Sequence, residues 1–293
     1  MSGEADLLVI GDAMIDISVK PPRHRVGGAW ASDILVSPGG LGNVAVSASS
    51  CGAITGFAGA VGNDAFGERY RMNLESNNVR THLKISSSGT GLCVNLVWPD
   101  GERTMYTRRG ANDDFRAHDL TEDTLQEYKM IFLSGFSLET GRSSSQIMEV
   151  TRKAREIGIR IALSGGAYNI IEQEMARFRE LARLSEILIL NDKEAAAFTG
   201  ECELSKEIEL LGRTTDTAVI TTGPRGCIAS LDGNTREFLT QETPVVDSTG
   251  AGDTFAGTFL GHLLRGEQAS EAIKRALDAA SQSVGHLGPR ENQ

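Results

Sequence analysis

The chain of 293 residues is 40% hydrophobic and 23% charged, and it contains 33 glycines. This composition is typical of a soluble globular protein with many turns, and the length suits one large α/β domain or two smaller ones. The formal net charge of −10, which no basic cluster offsets, argues against nucleic acid as an obligate partner.

The cysteines and the N-terminus both favour a cytoplasmic location. Cys51, Cys93, Cys202 and Cys227 are scattered without a Cys-x-x-Cys pair, which predicts free thiols in a reducing compartment and no cysteine-bound metal. The first residues lack the basic segment of a signal peptide, and no stretch is long enough to span a bilayer. We therefore expect a cytoplasmic protein with no membrane partner.

The first hundred residues predict a buried strand and a β-rich appendage. Leu7 to Gly11 is a continuous apolar run that predicts a buried first strand. Residues 13–36 and 90–108 contain short strand-like pieces, the second with a hairpin signal at Pro99-Asp100-Gly101. We expect them to form a small β lid. The segments between them predict the helix 43–51, the strand 55–61 and the helix 64–77.

From residue 130 onward, strand and helix patterns alternate. The predicted strands are 130–133, 159–163, 187–190, 218–222, 227–231 and 235–239. The predicted helices are 143–157, 172–184, 192–199, 204–211, 251–265 and 269–284. This alternation predicts an α/β fold with a mostly parallel central sheet and helices on both faces. We expect a single domain, 1–293, with lid segments at about 13–36 and 90–108.

A glycine-rich segment precedes the helix predicted at 251–265. Gly250, Ala251 and Gly252 lie where a loop becomes a helix N-terminus, so their small side chains and free amides suit an anion. Asp253 follows in the first turn. An anion cradle beside a carboxylate suits phosphoryl transfer, because amides stabilise the phosphoryl charge and the carboxylate accepts a hydroxyl proton. An ordinary glycine loop before an acidic first turn explains the same residues equally well.

A resemblance decides between these interpretations. The chain has no P-loop and no dinucleotide fingerprint. The run from Asp247 to Gly257, Asp-Ser-Thr-Gly-Ala-Gly-Asp-Thr-Phe-Ala-Gly, resembles the C-terminal signature of the ribokinase-like (PfkB) family of carbohydrate and nucleoside kinases. The resemblance implies a ribokinase-like fold with Rossmann-type layering and an ATP-dependent kinase. In it Asp253 is the base, and the amides of Gly250, Ala251 and Gly252 stabilise the phosphoryl group.

Three further sites concern the phosphate acceptor. Gly39, Gly40 and Asn43 resemble the family's N-terminal signature, which binds acceptor hydroxyls, although Asn43 would also make an ordinary helix N-cap. Asp16 matches the family's acidic residue after the first strand. The nearby Asp12 either shares this role or simply ends the strand.

Arg109 stands at the end of the predicted lid hairpin, directly after Arg108. An arginine here could bind a carboxylate or phosphate on the acceptor. A solvated loop charge is the alternative.

The nucleotide site is predicted mainly by the resemblance. The pattern Asn-x-x-Glu at Asn191 and Glu194 is the family's motif, and its Glu contacts the nucleotide-bound Mg²⁺ through water. The alternative is an acidic helix start. The remaining family positions form the turn over the nucleotide, the adenine contact and a candidate site for a monovalent cation such as K⁺. They are Thr222, Gly223 and Gly226 for the turn, Gly288 for adenine, and Asp247 and Thr249 for the cation.

The resemblance implies transfer of the γ-phosphoryl group of ATP, with Mg²⁺, to a hydroxyl of a small sugar or sugar acid. A nucleoside kinase of the same family shares every motif. A non-catalytic sugar or nucleotide sensor on the same fold is the third hypothesis, and the intact Asp253 argues against it. Lids in this family often pair between subunits, so the resemblance also allows a homodimer through the lid.

Overall fold

The structure is a computed structural model that describes residues 4–21, 31–98, 103–139, 141–240, 243 and 248–285. Two predicted site residues, Asp247 and Gly288, lie outside this range, as does the predicted turn at Pro99-Asp100-Gly101. Within the described residues, no helix has both the length and the apolar character needed to cross a membrane.

A large sheet forms the centre of the described part of the chain. Its strand order is β13-β12-β11-β10-β9-β8-β1-β4-β5. The pairs from β11 to β5 are all parallel, and β12 and β13 add an antiparallel edge. The strands are β1 (Ala5–Ile10), β4 (Thr55–Gly62), β5 (Arg80–Ser86), β8 (Tyr128–Ser134), β9 (Arg160–Ser164), β10 (Ile187–Asn191), β11 (Thr217–Thr221), β12 (Cys227–Leu231) and β13 (Asn234–Phe238).

Helices cover both faces of this sheet. They are α1 (Gly42–Ser50), α2 (Ala65–Ser76), α3 (Glu122–Gln126), α4 (Gly141–Glu156), α5 (Tyr168–Gln173), α6 (Met175–Leu184), α7 (Asp192–Thr199), α8 (Leu204–Gly212), α9 (Ala251–Leu264) and α10 (Ala269–Ser283). Side chains of β1 alternate between two cores: Leu7 and Val9 pack with α1, α2, α9 and α10, and Leu8 and Ile10 pack with α3 to α8. Burial on both faces explains why β1 is continuously apolar.

A second, smaller sheet has the strand order β3-β2-β6-β7. Its strands are β2 (Ala13–Lys20), β3 (Asp33–Gly40), β6 (Gly91–Val97) and β7 (Arg103–Arg108). Ile15 and Ile17 of β2 pack into the core that contains α1 and α2, so one face of this sheet is anchored to the main body. The predicted fold class, a mostly parallel sheet with helices and a small additional sheet, is confirmed.

Three details of the sequence-based prediction are wrong. Strand β5 was not predicted, because its sequence, Arg-Thr-His-Leu-Lys-Ile-Ser, is largely polar, as suits the edge of a sheet. The predicted helix 172–184 is two helices, α5 and α6, which meet at Glu174. Asn43 is not the N-cap of α1, since Leu41 occupies that position and Asn43 lies in the first turn.

Helices α1 and α9 approach each other closely because α9 presents glycine to α1. A Cβ atom at Gly257 would lie 2.4 Å from the carbonyl oxygen of Val44, and one at Gly261 would lie 2.9 Å from that of Ala48. Asp253, Gly257 and Gly261 are spaced four residues apart, so they share one face of α9. The close packing therefore sets how near Asp253 comes to α1.

We expect Gly257→Ala to destabilise the protein by roughly 1–3 kcal/mol, because the added methyl group must push the two helix backbones apart. Chemical denaturation with urea measures the change. The matched control is Gly252→Ala, where a Cβ would meet no atom within 4 Å. There the stability should be unchanged or slightly higher, because alanine favours the helix. Equal stability losses in the two variants would contradict the packing argument.

Candidate active site

Three predicted site residues lie along the carboxyl-terminal end of the parallel strands of the large sheet. Asp12 follows β1, Asn191 ends β10 and Thr222 follows β11, so all three lie at the carboxyl ends of parallel strands. Ligands of open α/β sheets bind at this edge. Four strand spacings separate β11 from β1, which amounts to roughly 19 Å. That distance suits an extended nucleoside triphosphate followed by a small acceptor.

A hydrogen bond between α1 and α9 links the two predicted signatures. The side-chain amide of Asn43 donates to the Asp253 carboxylate over 3.4 Å, although the two residues are 210 positions apart in the chain. Asn43 is almost fully buried, whereas Asp253 is half-buried and keeps access to solvent. Asp253 is therefore not buried in the core, and it lies within hydrogen-bond distance of Asn43 in the N-terminal signature.

The N-terminus of α9 begins with a backbone conformation that favours glycine. Gly250 is the N-cap and has φ of 79°. Gly252 is exposed, and a Cβ there would meet nothing within 4 Å, so a ligand can approach its backbone. The Ala251 amide donates to the Ser248 carbonyl over 3.3 Å, and this donor is thus engaged within the turn itself. Thr249 lies in the same turn and is half-buried.

Gly39 and Gly40, at the end of β3, leave room for the carboxylate of Asp16. A Cβ at Gly39 would lie 2.0 Å from Asp16 Oδ2, so only glycine leaves room for that side chain. Gly40 has φ of 60°, and a Cβ there would lie 2.4 Å from the Asp12 carbonyl oxygen. The Tyr70 hydroxyl donates to the Gly39 carbonyl over 3.1 Å and accepts from the Gly42 amide over 3.2 Å. Tyr70, which was not predicted as part of the site, thus fixes the turn.

Arg109 pairs with Asp12 rather than pointing into solvent. Its guanidinium donates to both Asp12 oxygens, over 2.6 and 3.0 Å, and its Nε donates to Asp113 over 2.9 Å. Only 11% of the Arg109 side chain is exposed. The sequence-based alternative of a solvated loop charge is wrong. Burial raises the pKa of Asp12, and the charge of Arg109 opposes this rise.

Asn112 is a further residue that sequence reasoning did not assign. Its side chain accepts from the Ala13 amide over 2.8 Å and donates to the Ala13 carbonyl over 3.0 Å, which fixes the start of β2. Asn112 is 4% exposed. An asparagine in a loop after glycine and alanine gives no signal of such a contact.

Asn191 and Glu194 form a capping box at the start of α7. Each side chain accepts from the other residue's backbone amide over 2.9 Å. Glu194 is 6% exposed, and burial raises its pKa. A Cβ at Gly165 would lie 2.3 Å from Glu194 Oε2, so the end of β9 also needs glycine. The helix-start interpretation is therefore correct for Asn191 and Glu194.

The turn after β11 is shaped by two glycines. Gly223 has φ of 62° and Gly226 has φ of 96°. Thr222 closes the turn, since its amide and its hydroxyl both donate to the Gly226 carbonyl, over 2.8 and 3.1 Å. A Cβ at Gly223 would meet nothing within 4 Å, so its backbone is open to a ligand. Within the described ranges, no three histidine, cysteine, aspartate or glutamate side chains are grouped to hold a metal.

Comparison with known proteins gives a consistent result. The sequence profile described as "pfkB family carbohydrate kinase" matches residues 4–293. The ribokinase of Bacillus subtilis is 29% identical over 97% of this chain and 94% of its own length. Adenosine kinase from Sinorhizobium meliloti has a TM-score of 0.88 at 25% identity, covering 98% of this chain and 96% of its own.

A candidate ribokinase II from Escherichia coli, solved in complex with ATP and Mg²⁺, has a TM-score of 0.86. Its identity is 17%, over 97% of this chain and 94% of its own, so it supports the fold alone.

Proposed function

This chain belongs to the pfkB family of carbohydrate kinases, and from that membership we infer that it transfers the γ-phosphoryl group of ATP to a hydroxyl of a small sugar. The observation that carries this inference is the contact between Asn43 Nδ2 and Asp253 Oδ2. It brings together a group suited to an acceptor hydroxyl and a group suited to take its proton.

In the proposed mechanism, Asp16 and Asn43 hold the acceptor. Asp253 removes the proton from the attacking hydroxyl, and the amides of Gly250 and Gly252 stabilise charge on the transferred group. The small sheet acts as a lid over the acceptor and excludes water, which would otherwise accept the phosphoryl group.

Magnesium is the metal that this family implies, and the described residues fit it. Glu194 supplies a hard oxygen donor that is buried, and no basic side chain is paired with it among the described ion pairs. A carboxylate that contacts the ion through water suits a cation that keeps its own water. When bound, Mg²⁺ would neutralise charge on the phosphates. The role of Glu194 is to accept hydrogen bonds from the water of that ion.

An ADP-release assay with a panel of acceptors tests the proposed function. The panel contains neutral sugars, sugar acids and nucleosides, each with ATP and Mg²⁺. We expect ADP release that depends on one acceptor and exceeds the ATPase rate in water. Binding of a sugar with no ADP release from any acceptor would instead favour a sensor.

A nucleoside kinase is the second candidate, and the similarity to an adenosine kinase favours it. The residues that hold ATP and take the proton would be the same. The two candidates differ only in what the acceptor presents to the small sheet.

We expect the Mg²⁺ concentration for half-maximal activity to rise as pH falls from about 8 to about 5. Burial raises the pKa of Glu194, so this carboxylate takes up a proton at a higher pH than an ordinary glutamate. The protonated form no longer attracts the hydrated ion. Steady-state rates at several Mg²⁺ concentrations and pH values measure the shift.

Glu194→Gln should need more Mg²⁺ at every pH and lose most of this pH dependence. Glu207→Gln is the matched control, because Glu207 is also buried with a raised pKa but lies on α8. An unchanged pH dependence in Glu194→Gln would contradict the role of Glu194.

A further inference from the structure

The small sheet carries a row of polar side chains on the same face as Asp16. The strand register aligns Asp16 with Ser37 on one side and with Cys93 on the other, and it aligns Cys93 with Thr107. Partners in register point to the same face of a sheet. The Thr107 hydroxyl contacts the Cys93 sulfur at 3.5 Å, which agrees with this arrangement.

A second row lies two residues further along each strand. It contains Leu35, Ser18, Asn95 and Met105, and its two central members are again polar. The Cys93 thiol donates to Asn95 Oδ1 over 3.3 Å, so the two rows are connected. Ser18 is 2% exposed and Asn95 is 5% exposed, which means that polar groups are buried here.

Ser37 provides the evidence that a ligand binds at this face. Its hydroxyl is buried and has no hydrogen-bond partner in the described part of the chain, and the residue is 8% exposed. A buried polar group without a partner is costly, so such groups normally have one. The hydroxyl of an acceptor bound at Asp16 would supply it, because Ser37 is the register partner of Asp16.

The charge on this face selects against anionic acceptors. Asp16 is the single charged side chain among the eight residues of the two rows. The guanidinium of Arg109, predicted to bind an acceptor anion, is occupied by Asp12 and Asp113. Arg108 pairs in register with Leu92, which packs on the opposite face. Within these two rows of described residues, a carboxylate or phosphate would therefore meet the negative charge of Asp16 and no cation.

The two rows of described residues lack the aromatic surface that a nucleoside base needs. A flat heteroaromatic base is held mainly by apolar and aromatic surfaces. The two rows contain no aromatic residue, and their centre is formed by hydroxyl, thiol and amide groups. Hydroxyl groups on several carbons of an acceptor match such a surface.

We propose that the two rows recognise a neutral polyol, such as an uncharged sugar, and that Ser37 and Cys93 are specificity-determining residues beside Asp16. This proposal rests on the proposed function, since it names the acceptor of that reaction. It selects a sugar over both a sugar acid and a nucleoside.

Kinetics of two variants test the proposal. Ser37→Ala and Cys93→Ala should each raise the KM of the neutral sugar about threefold to tenfold, the range expected for one lost hydrogen bond, with the KM of ATP unchanged. Ser37→Ala should leave the melting temperature unchanged or higher, because it removes an unsatisfied buried group. Ser144→Ala is the matched control: this hydroxyl is also buried without a partner, but it lies on α4. It should leave the sugar KM unchanged.

Alkylation of Cys93 gives a readout that does not need turnover. Burial raises the pKa of the Cys93 thiol and the charge of Asp16 adds to this, so labelling with iodoacetamide is done at about pH 9. Peptide mass spectrometry follows each cysteine. The neutral sugar should protect Cys93 while ATP alone should not, and the exposed Cys202 should be labelled at the same rate throughout.

Three results would overturn the proposal: a higher kcat/KM for adenosine or gluconate than for ribose and fructose, unchanged sugar KM in both variants, or no protection of Cys93. Failure of the proposed function would give a different result. If no acceptor releases ADP but a neutral sugar still protects Cys93, the proposed recognition surface is supported and the kinase assignment is contradicted. If there is neither ADP release nor protection of Cys93, both proposals are contradicted.

Discussion

Asp253→Asn should lower kcat by a factor of about 10²–10⁴ while the KM values of ATP and acceptor stay close to wild type, because the variant loses the group that takes the acceptor proton. Asparagine keeps the size of the side chain and its contact with Asn43, so binding and fold should persist. Single-turnover measurements of ADP formation, with substrate binding measured separately by calorimetry, resolve the two effects.

The control is Asp278→Asn, which makes the same chemical change on the exposed surface of α10. It should leave kcat unchanged. A wild-type kcat in Asp253→Asn would remove the base assignment. A large rise in the KM of the acceptor with kcat unchanged would instead make Asp253 a binding residue.

Arg109→Leu should lower the free energy of unfolding by about 1–3 kcal/mol, because it leaves the Asp12 carboxylate, whose side chain is only 21% exposed, without its partner. The pair joins segments 97 residues apart, so its loss also loosens the attachment of the small sheet to β1. Urea denaturation measures the change.

The loss should depend on pH in a defined direction. Without Arg109, the folded-state pKa of Asp12 should rise further above the unfolded value. The folded state then keeps a proton that the unfolded state has lost, so stability falls as pH rises between the two pKa values. The penalty should therefore be smaller at about pH 5 than at about pH 8.

Two further variants separate the effect of the Asp12–Arg109 ion pair from that of losing any arginine. Arg71→Leu removes an arginine that is paired with Glu68 and Glu75 on the surface, and it should change stability little. The double variant Asp12→Asn/Arg109→Leu should recover part of the loss, because no buried charge remains. A double variant less stable than Arg109→Leu alone would contradict this explanation.

Sequence patterns predicted the elements of the large sheet wherever burial is uniform. The runs Leu7 to Gly11 and Ile187 to Leu190 are continuously apolar because both faces of β1 and β10 are covered. Strand β5 was not predicted because it pairs with another strand on one side only, and its polar and apolar residues do not alternate regularly. The break between α5 and α6 has no proline or glycine at Glu174 to mark it, so the sequence shows a single amphipathic helix.

Sequence reasoning named residues that the structure brings together, but it did not predict their contacts. Asp253 and Asn43 were found by resemblance, and their hydrogen bond depends on a tertiary approach that no local pattern encodes. Arg109 was misjudged for the same reason, since Asp12 lies far away in the sequence. Gly257 could have been noticed, because glycine inside a helix needs a packing reason, but its neighbour Val44 could not.

The approach of α9 to α1 also has a consequence for synthesis of the chain. The apolar side of α1, with Val44, Ala45 and Ala48, is covered by a helix that ends only at Leu264. A nascent chain therefore carries this uncovered surface until the residues up to Leu264 have left the ribosome, and no fragment that ends before α9 contains both Asn43 and Asp253. Onset of phosphoryl transfer during translation would accordingly report that α9 has docked against α1.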